Sequence, residues 1–132
     1  MDEPFQDIKI LVADDLPSAR KAIVRLLGKL GYSTVLEASD GEQALKIIEE
    51  GEVGLIISDW QMPKISGIDL VKKLRDAGNQ IPFIIVTAAS SREEVIEAHQ
   101  SRVSDFIAKP FSMETLSMKI RRAVSSFNTS QS

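Results

Sequence analysis

The chain has 132 residues, with 16 Lys and Arg against 19 Asp and Glu and a formal charge of −3. That length suits one domain burying about two thirds of its unfolded surface, and the lack of cysteine excludes thiol catalysis, thiolate zinc and disulfide frameworks while fitting a reducing compartment, the cytoplasm by default. No apolar run nears the roughly 20 residues of a membrane helix, the acidic start MDEPFQD is unlike a signal peptide, and the charge balance argues against direct nucleic-acid binding by a general basic field.

Ile8 to Ala13 is apolar at successive positions, as a strand covered on both faces should be. Pro17 suits a first helical turn; Ile23, Leu26, Leu27 and Leu30 then repeat at helical spacing until Gly31 stops the helix. A strand over Ser33 to Ala38 precedes a helix opening at Ser39, with Glu42 three residues on as in a capping box. Gly54 to Ser58 reads as the third strand, followed by a helix from about Gly67 to Ala77 with Ile68, Val71 and Leu74 inward and Gly78 as its stop. Pro82 to Thr87 is the fourth strand, and Ser91 with Glu94 supplies a second capping box. Ser104 to Ala108 is the fifth strand, and after Ser112 a last helix places Met113, Leu116, Ile120, Val124 and Phe127 on one stripe. The whole chain, 1–132, reads as a single domain with a core over about 8–126 and loose ends at 1–7 and 128–132. The closing NTSQS is either a natural tail or the start of a linker.

Five βα units with right-handed crossovers favour an open, doubly wound parallel α/β sheet with helices on both faces; an eight-unit barrel would need about 250 residues. Ligands bind such sheets outside the carboxyl ends of the strands. There stand Asp14 and Asp15, Asp59, Thr87, and Lys109 with Pro110. Three converging carboxylates repel unless a cation lies among them, and an all-oxygen set suits Mg²⁺ better than zinc, with Mn²⁺ an alternative. Taken alone, Asp14 and Asp15 read equally as helix caps before Pro17, and Asp59 as a turn residue before Met62 and Pro63. Taken together, Asp59 at a strand end suits a nucleophile forming an acyl phosphate beside a metal, with Lys109 as a point charge and Thr87 as a hydroxyl donor. His99 reads as a solvated helix residue, Trp60 as a crevice cover or a surface ring, Phe106 as core by spacing alone, and the methionines as packing.

The segments ILVADD, IISDWQMP, IIVTA and FIAKPF, in this order, make the chain resemble the receiver domain of bacterial two-component response regulators, single-domain chemotaxis-type regulators above all, from Ile8 to about Val124. The resemblance implies a flavodoxin-like (βα)5 fold, a three-layer sandwich around a five-stranded parallel sheet of order 2-1-3-4-5. It implies that Asp59 is the phosphoacceptor, that Asp14, Asp15, Asp59 and the backbone carbonyl of Gln61 hold Mg²⁺, and that Lys109 and Thr87 contact the phosphoryl group. A sensor histidine kinase, a histidine phosphotransfer protein or a small acyl phosphate would be the donor, and the domain would catalyse both its own phosphorylation and a slow hydrolysis. Thr87 would then draw inward and the aromatic at Phe106 follow. The surface of the fourth helix, fifth strand and fifth helix would be reshaped for a downstream protein target, with no direct contact to nucleic acid or membrane.

Three features depart from that family: Phe106 lacks a tyrosine's hydroxyl, Ser66 stands where an acid often precedes Gly67, and SRVSDF replaces a glycine-containing approach to the fifth strand. Gln61 and Ala89, two residues beyond Asp59 and Thr87, border the family's hydrolytic water. The competing readings fare worse. A haloacid-dehalogenase-like phosphatase has Asp-x-Asp on its first strand and a cap domain, whereas the acids here are adjacent and the candidate nucleophile lies on the third strand. A flavin module needs a glycine- and hydroxyl-rich phosphate cradle, which DDLPSAR is not. A degenerate receiver acting only as a binding surface would lack site residues that are all present.

Overall fold

A computed structural model describes residues 7–88 and 91–131, side chains to residue 125. Strands and helices alternate as β1 (Lys9–Ala13), α1 (Pro17–Lys29), β2 (Thr34–Ala38), α2 (Gly41–Glu49), β3 (Leu55–Asp59), α3 (Gly67–Asp76), β4 (Phe83–Thr87), α4 (Arg92–Gln100), β5 (Asp105–Ala108) and α5 (Met113–Gln131). All four strand pairings are parallel and the order is β2-β1-β3-β4-β5. The expected doubly wound α/β fold is the one formed.

The successive apolar residues of the central strands are explained by two cores. Leu11, Ile56, Phe83 and Ile85 face a layer made by α2, α3 and α4, packing with Ile48, Ile68, Val71 and Ala98. Ile10, Val12, Ile57, Ile84 and Val86 face α1 and α5 through Ile23, Leu27, Leu116 and Ile120. Burial on both faces leaves the strands no freedom to slip, because a one-residue shift would exchange the two cores. The ends of β1, β3, β4 and β5 are therefore fixed side by side, with Asp59 opposite Val86 and Thr87 opposite Ala108.

Element ends follow the sequence, with differences at α2, β3 and α5. Gly31 and Gly78 are the predicted stops, with φ of 99° and 83°, and the Ser91–Glu94 capping box is complete. α2 is instead capped by Asp40, whose side chain accepts from the Gln43 N–H at 2.7 Å. Ser39 lies one residue too early, and its amide donates to the Gln43 side chain. β3 reaches Asp59, so the acid is the last strand residue and not the first of the turn. α5 continues as backbone helix to Gln131, through most of the stretch 128–132 expected to be loose; residues 1–6, Ala89 and the Phe127 side chain lie outside the described residues.

The departures from the family pattern are locally self-consistent. Ser66 caps α3 by accepting from the Asp69 N–H at 3.1 Å. In the SRVSDF stretch Arg102 takes the positive φ (66°) that glycine would take most easily. Ser104 there exchanges bonds with Phe83, its hydroxyl accepting from the Phe83 amide at 3.0 Å and its amide donating to the Phe83 carbonyl at 2.8 Å.

Gly67 donates its amide to the Trp60 carbonyl at 2.9 Å. A methyl group there would run into the Asp59 carbonyl oxygen and approach Ile85 Cδ1 to 2.7 Å. Gly67→Ala should therefore cost about 1–3 kcal/mol in urea unfolding. Gly28→Ala on exposed α1, where a Cβ meets nothing within 4 Å, should gain about 0.5–1 kcal/mol. Equal effects of the two would contradict the close α3–β3 approach.

Candidate functional site

Asp14, Asp15 and Asp59 meet at the carboxyl edge of the sheet, each offering an oxygen within 4.8 Å of the others. Asp14 leaves β1 at 1% exposure. Its amide donates to the Ala38 carbonyl at 3.0 Å, and its Oδ1 accepts from the Leu16 amide at 2.9 Å. Its Oδ2 is buried and has no hydrogen-bond donor; the Lys109 ammonium stands 3.8 Å from it. Asp15 is exposed and Asp59 half-buried. Asp59 Oδ1 accepts from the Trp60 amide at 2.9 Å, which turns the carboxylate toward the strand ends. Asp15, Leu16, Asp59, Gln61, Met62 and Pro63 line an open depression of about 390 Å³.

Burial, and next the charge of Asp14, push the Asp59 carboxyl above the ordinary carboxylate range, with Asp15 adding to this and Lys109 and the Trp60 N–H opposing it. An acid held so close to two others, beside a buried oxygen without a donor, matches what a hard divalent cation needs: several oxygen ligands, open on one side. The donor set fits Mg²⁺, and nothing in it suits a soft metal.

Most of the sequence-derived residues come together here. Gln61 lies in the same depression as Asp15 and Asp59. Thr87 ends β4, buried at 5% exposure, and its carbonyl accepts from the Lys109 amide at 2.8 Å. Lys109 pairs with Asp14, and among the described residues no ion pair joins it to Asp59. Phe106 is half-buried against the α2–α4 core, and Lys119 stands 5.7 Å from its ring centroid. Trp60 is neither cover nor surface ring: at 8% exposure it belongs to the core. Met62 packs against that core, but Met118 is 42% exposed on α5. His99 is exposed as expected. One residue was not legible in advance: Arg20, whose guanidinium folds back to donate to the Asp14 carbonyl at 2.8 Å. A basic residue on an amphipathic helix carries no signal of such a return contact.

The sequence profile of the response regulator receiver domain matches residues 10–121. The chemotaxis protein CheY-3 of Vibrio cholerae is 38% identical over 117 residues, 87% of this chain and 90% of that protein. The chemotaxis protein CheY of Pseudomonas aeruginosa is 37% identical, covering 87% and 94%. Among solved structures, the Francisella response regulator 1452 receiver domain superposes with a TM-score of 0.85 at 33% identity over 92% of this chain and 99% of that one. A response regulator receiver domain protein from Clostridium thermocellum gives 0.84 at 29%, over 92% and 98%.

The folded state holds the Asp59 proton more tightly than the unfolded chain does. Its contribution to stability is thus complete below the unfolded pKa and is lost as pH rises through the higher folded value. In chelator, Asp59→Asn should melt about 3 °C above the parent at neutral pH, with the gap closing in acid; a parent melting as high as the variant at pH 7 would contradict the crowding.

Proposed function

The chain belongs to the response regulator receiver family, whose general function is phosphorylation-activated signalling, and on that footing we propose that Asp59 accepts a phosphoryl group from a phosphohistidine in a Mg²⁺-dependent reaction. The donor is a sensor histidine kinase or a histidine phosphotransfer protein, and the compartment is the cytoplasm. The observation that carries this reading is the meeting of Asp14, Asp15 and Asp59, each offering a carboxylate oxygen within 4.8 Å of the others, with the buried Asp14 Oδ2 lacking a hydrogen-bond donor among the described residues.

Asp14, Asp15, Asp59 and the Gln61 carbonyl would hold the cation, which when bound neutralises charge on the transferring phosphoryl oxygens. Asp59 acts as its carboxylate. The oxygen not engaged by the Trp60 amide attacks phosphorus as the P–N bond breaks and its electron pair returns to the departing imidazole. The Lys109 ammonium, already turned toward the acids at 3.8 Å from Asp14, balances part of the negative charge that arrives. Thr87, at the neighbouring strand end, supplies a hydroxyl donor to the new oxygens. Both residues lie beside β5, so their movement is felt by Phe106, two residues before Ala108 on the same strand. The same site returns to its starting state by slow attack of water on the acyl phosphate, with loss of inorganic phosphate.

The target surface is the α4-β5-α5 face. Ile96 on α4 and Met118 on α5 are large apolar side chains left 47% and 42% exposed, and Phe106 sits half-buried on β5. Two of the named relatives are chemotaxis proteins; with Phe106 lacking a hydroxyl, a partner here must engage an apolar ring. No helix of the described residues is long and apolar enough to cross a membrane.

With Mg²⁺ and a small acyl phosphate, intact mass should rise by one phosphoryl group while Trp60 fluorescence changes, and Asp59→Asn should show neither. Unchanged labelling of that variant would remove the assignment. Lys109→Ala should still take up phosphate to some degree yet leave the amide NMR shifts of β5 where they were; parent-like shifts on activation would separate Lys109 from the switch.

A further inference from the structure

Every hydrogen-bonding atom of Asp14 but one has a fixed partner. The amide donates to Ala38, Oδ1 accepts from Leu16, and the carbonyl accepts from Arg20 Nη1 at 2.8 Å. Only Oδ2 is left without one among the described residues, on a carboxylate that offers an oxygen within 4.8 Å of oxygens of Asp15 and Asp59. The Asp14 carbonyl belongs to the peptide that joins Asp14 to Asp15, so whatever fixes that oxygen fixes the plane between the two carboxylates. Arg20 is itself held: its Nε donates to Glu37 Oε1 on β2 at 2.9 Å, and its side chain is only 14% exposed. Glu37 in turn accepts from Lys21 at 2.9 Å; that bond first, and the one from Arg20 next, keep its carboxyl below the ordinary range. The planar guanidinium fork is what reaches a carbonyl and a carboxylate at once.

We propose that Arg20, braced by Glu37, is a positioning residue that sets the Asp14–Asp15 peptide so that both carboxylates meet a divalent cation. This rests on the cation reading given above. Groups that orient metal ligands typically govern affinity by about 10–100-fold. The competing explanation is an ordinary ion pair on the α1–β2 surface, and the two differ in sign. Arg20 is a positive charge near an acidic site, so by Coulomb's law alone its removal would tighten cation binding. Loss of positioning weakens it.

The test is a Mg²⁺ titration followed by Trp60 fluorescence and by calorimetry, on folded protein checked by thermal melting. Arg20→Met, similar in length and uncharged, should bind Mg²⁺ about tenfold more weakly than the parent, with the half-saturating Mg²⁺ for Asp59 phosphorylation rising by the same factor. Arg20→Lys keeps the charge but cannot span both acceptors, and it too should bind more weakly; this variant decides the question if Arg20→Met does not fold. A parent that binds while both folded variants bind as tightly or more tightly overturns the proposal alone. A parent with no affinity for Mg²⁺ overturns the cation reading, and the proposal with it.

Discussion

One buried oxygen organises this molecule. Asp14 Oδ2 has no donor among the described residues and lies 3.8 Å from an ammonium, and the Asp14 carboxylate meets two other acids, one oxygen from each within 4.8 Å of the others. Left to themselves, three such side chains would splay into water, where each is individually better solvated. They stay together because their backbone is over-determined. β1 is flanked by β2 and β3 and covered on both faces, and β3 is held between β1 and β4. The unfavourable electrostatics of the cluster is thereby carried by the apolar packing of the whole sheet, in keeping with the common observation that sites are kept at a cost to stability.

The two ends of the sheet use opposite solutions. At the carboxyl end three anions crowd together. At the amino end a cation is buried and satisfied by dipoles. Arg75 of α3, 6% exposed, donates to the carbonyls of Asn79, Ile81 and Arg102 at 3.0, 2.8 and 3.0 Å. Burial first, and the nearby charge of Arg102 next, draw its pKa down. Those bonds fasten the α3–β4 turn to the α4–β5 turn, so α4 and β5 are anchored at the end of the sheet far from the acids. On β5 itself the Asp105 carboxylate accepts from both the Phe106 amide and the Lys119 ammonium, at 2.8 and 2.9 Å. That pairing stations Lys119 against the Phe106 ring and joins the fifth strand to the fifth helix.

How much of this the sequence disclosed follows from what kind of signal each feature emits. The fold was legible because two-sided burial writes itself as unbroken Val, Ile and Leu runs, and because Gly31, Gly78 and the Ser91–Glu94 pair mark helix ends by local chemistry alone. The three aspartates were legible because acids at strand ends are unusual. The Asp40 cap was missed because Ser39 and Asp40 are both good caps and the choice depends on how α2 packs against β2 and β1. Trp60 was unreadable for a similar reason: an aromatic after a strand has no period to follow, and its place depends on long-range backbone bonds, its amide donating to the Val86 carbonyl and its carbonyl accepting from the Gly67 amide. The Lys109–Asp14 pairing likewise depends on the path of a turn, not on residue type.

Arg20 marks the limit of such reading. A helix cap is usually supplied by the residue before the helix, yet Leu16, the residue before α1, provides no side-chain cap, and the first turn of α1 holds no acid. The missing anion at this terminus is a consequence of the neighbouring acids. Another carboxylate there would add to a repulsion the fold already struggles to contain, so the chain uses Pro17, which has no N–H to satisfy, and turns Asp14 Oδ1 back onto the Leu16 amide. Arg20 instead donates both to Glu37 and to the carbonyl of the peptide that joins two of the acids. The Asp14–Asp15 peptide is thereby tied to α1 and β2 as well as to the strand that precedes it.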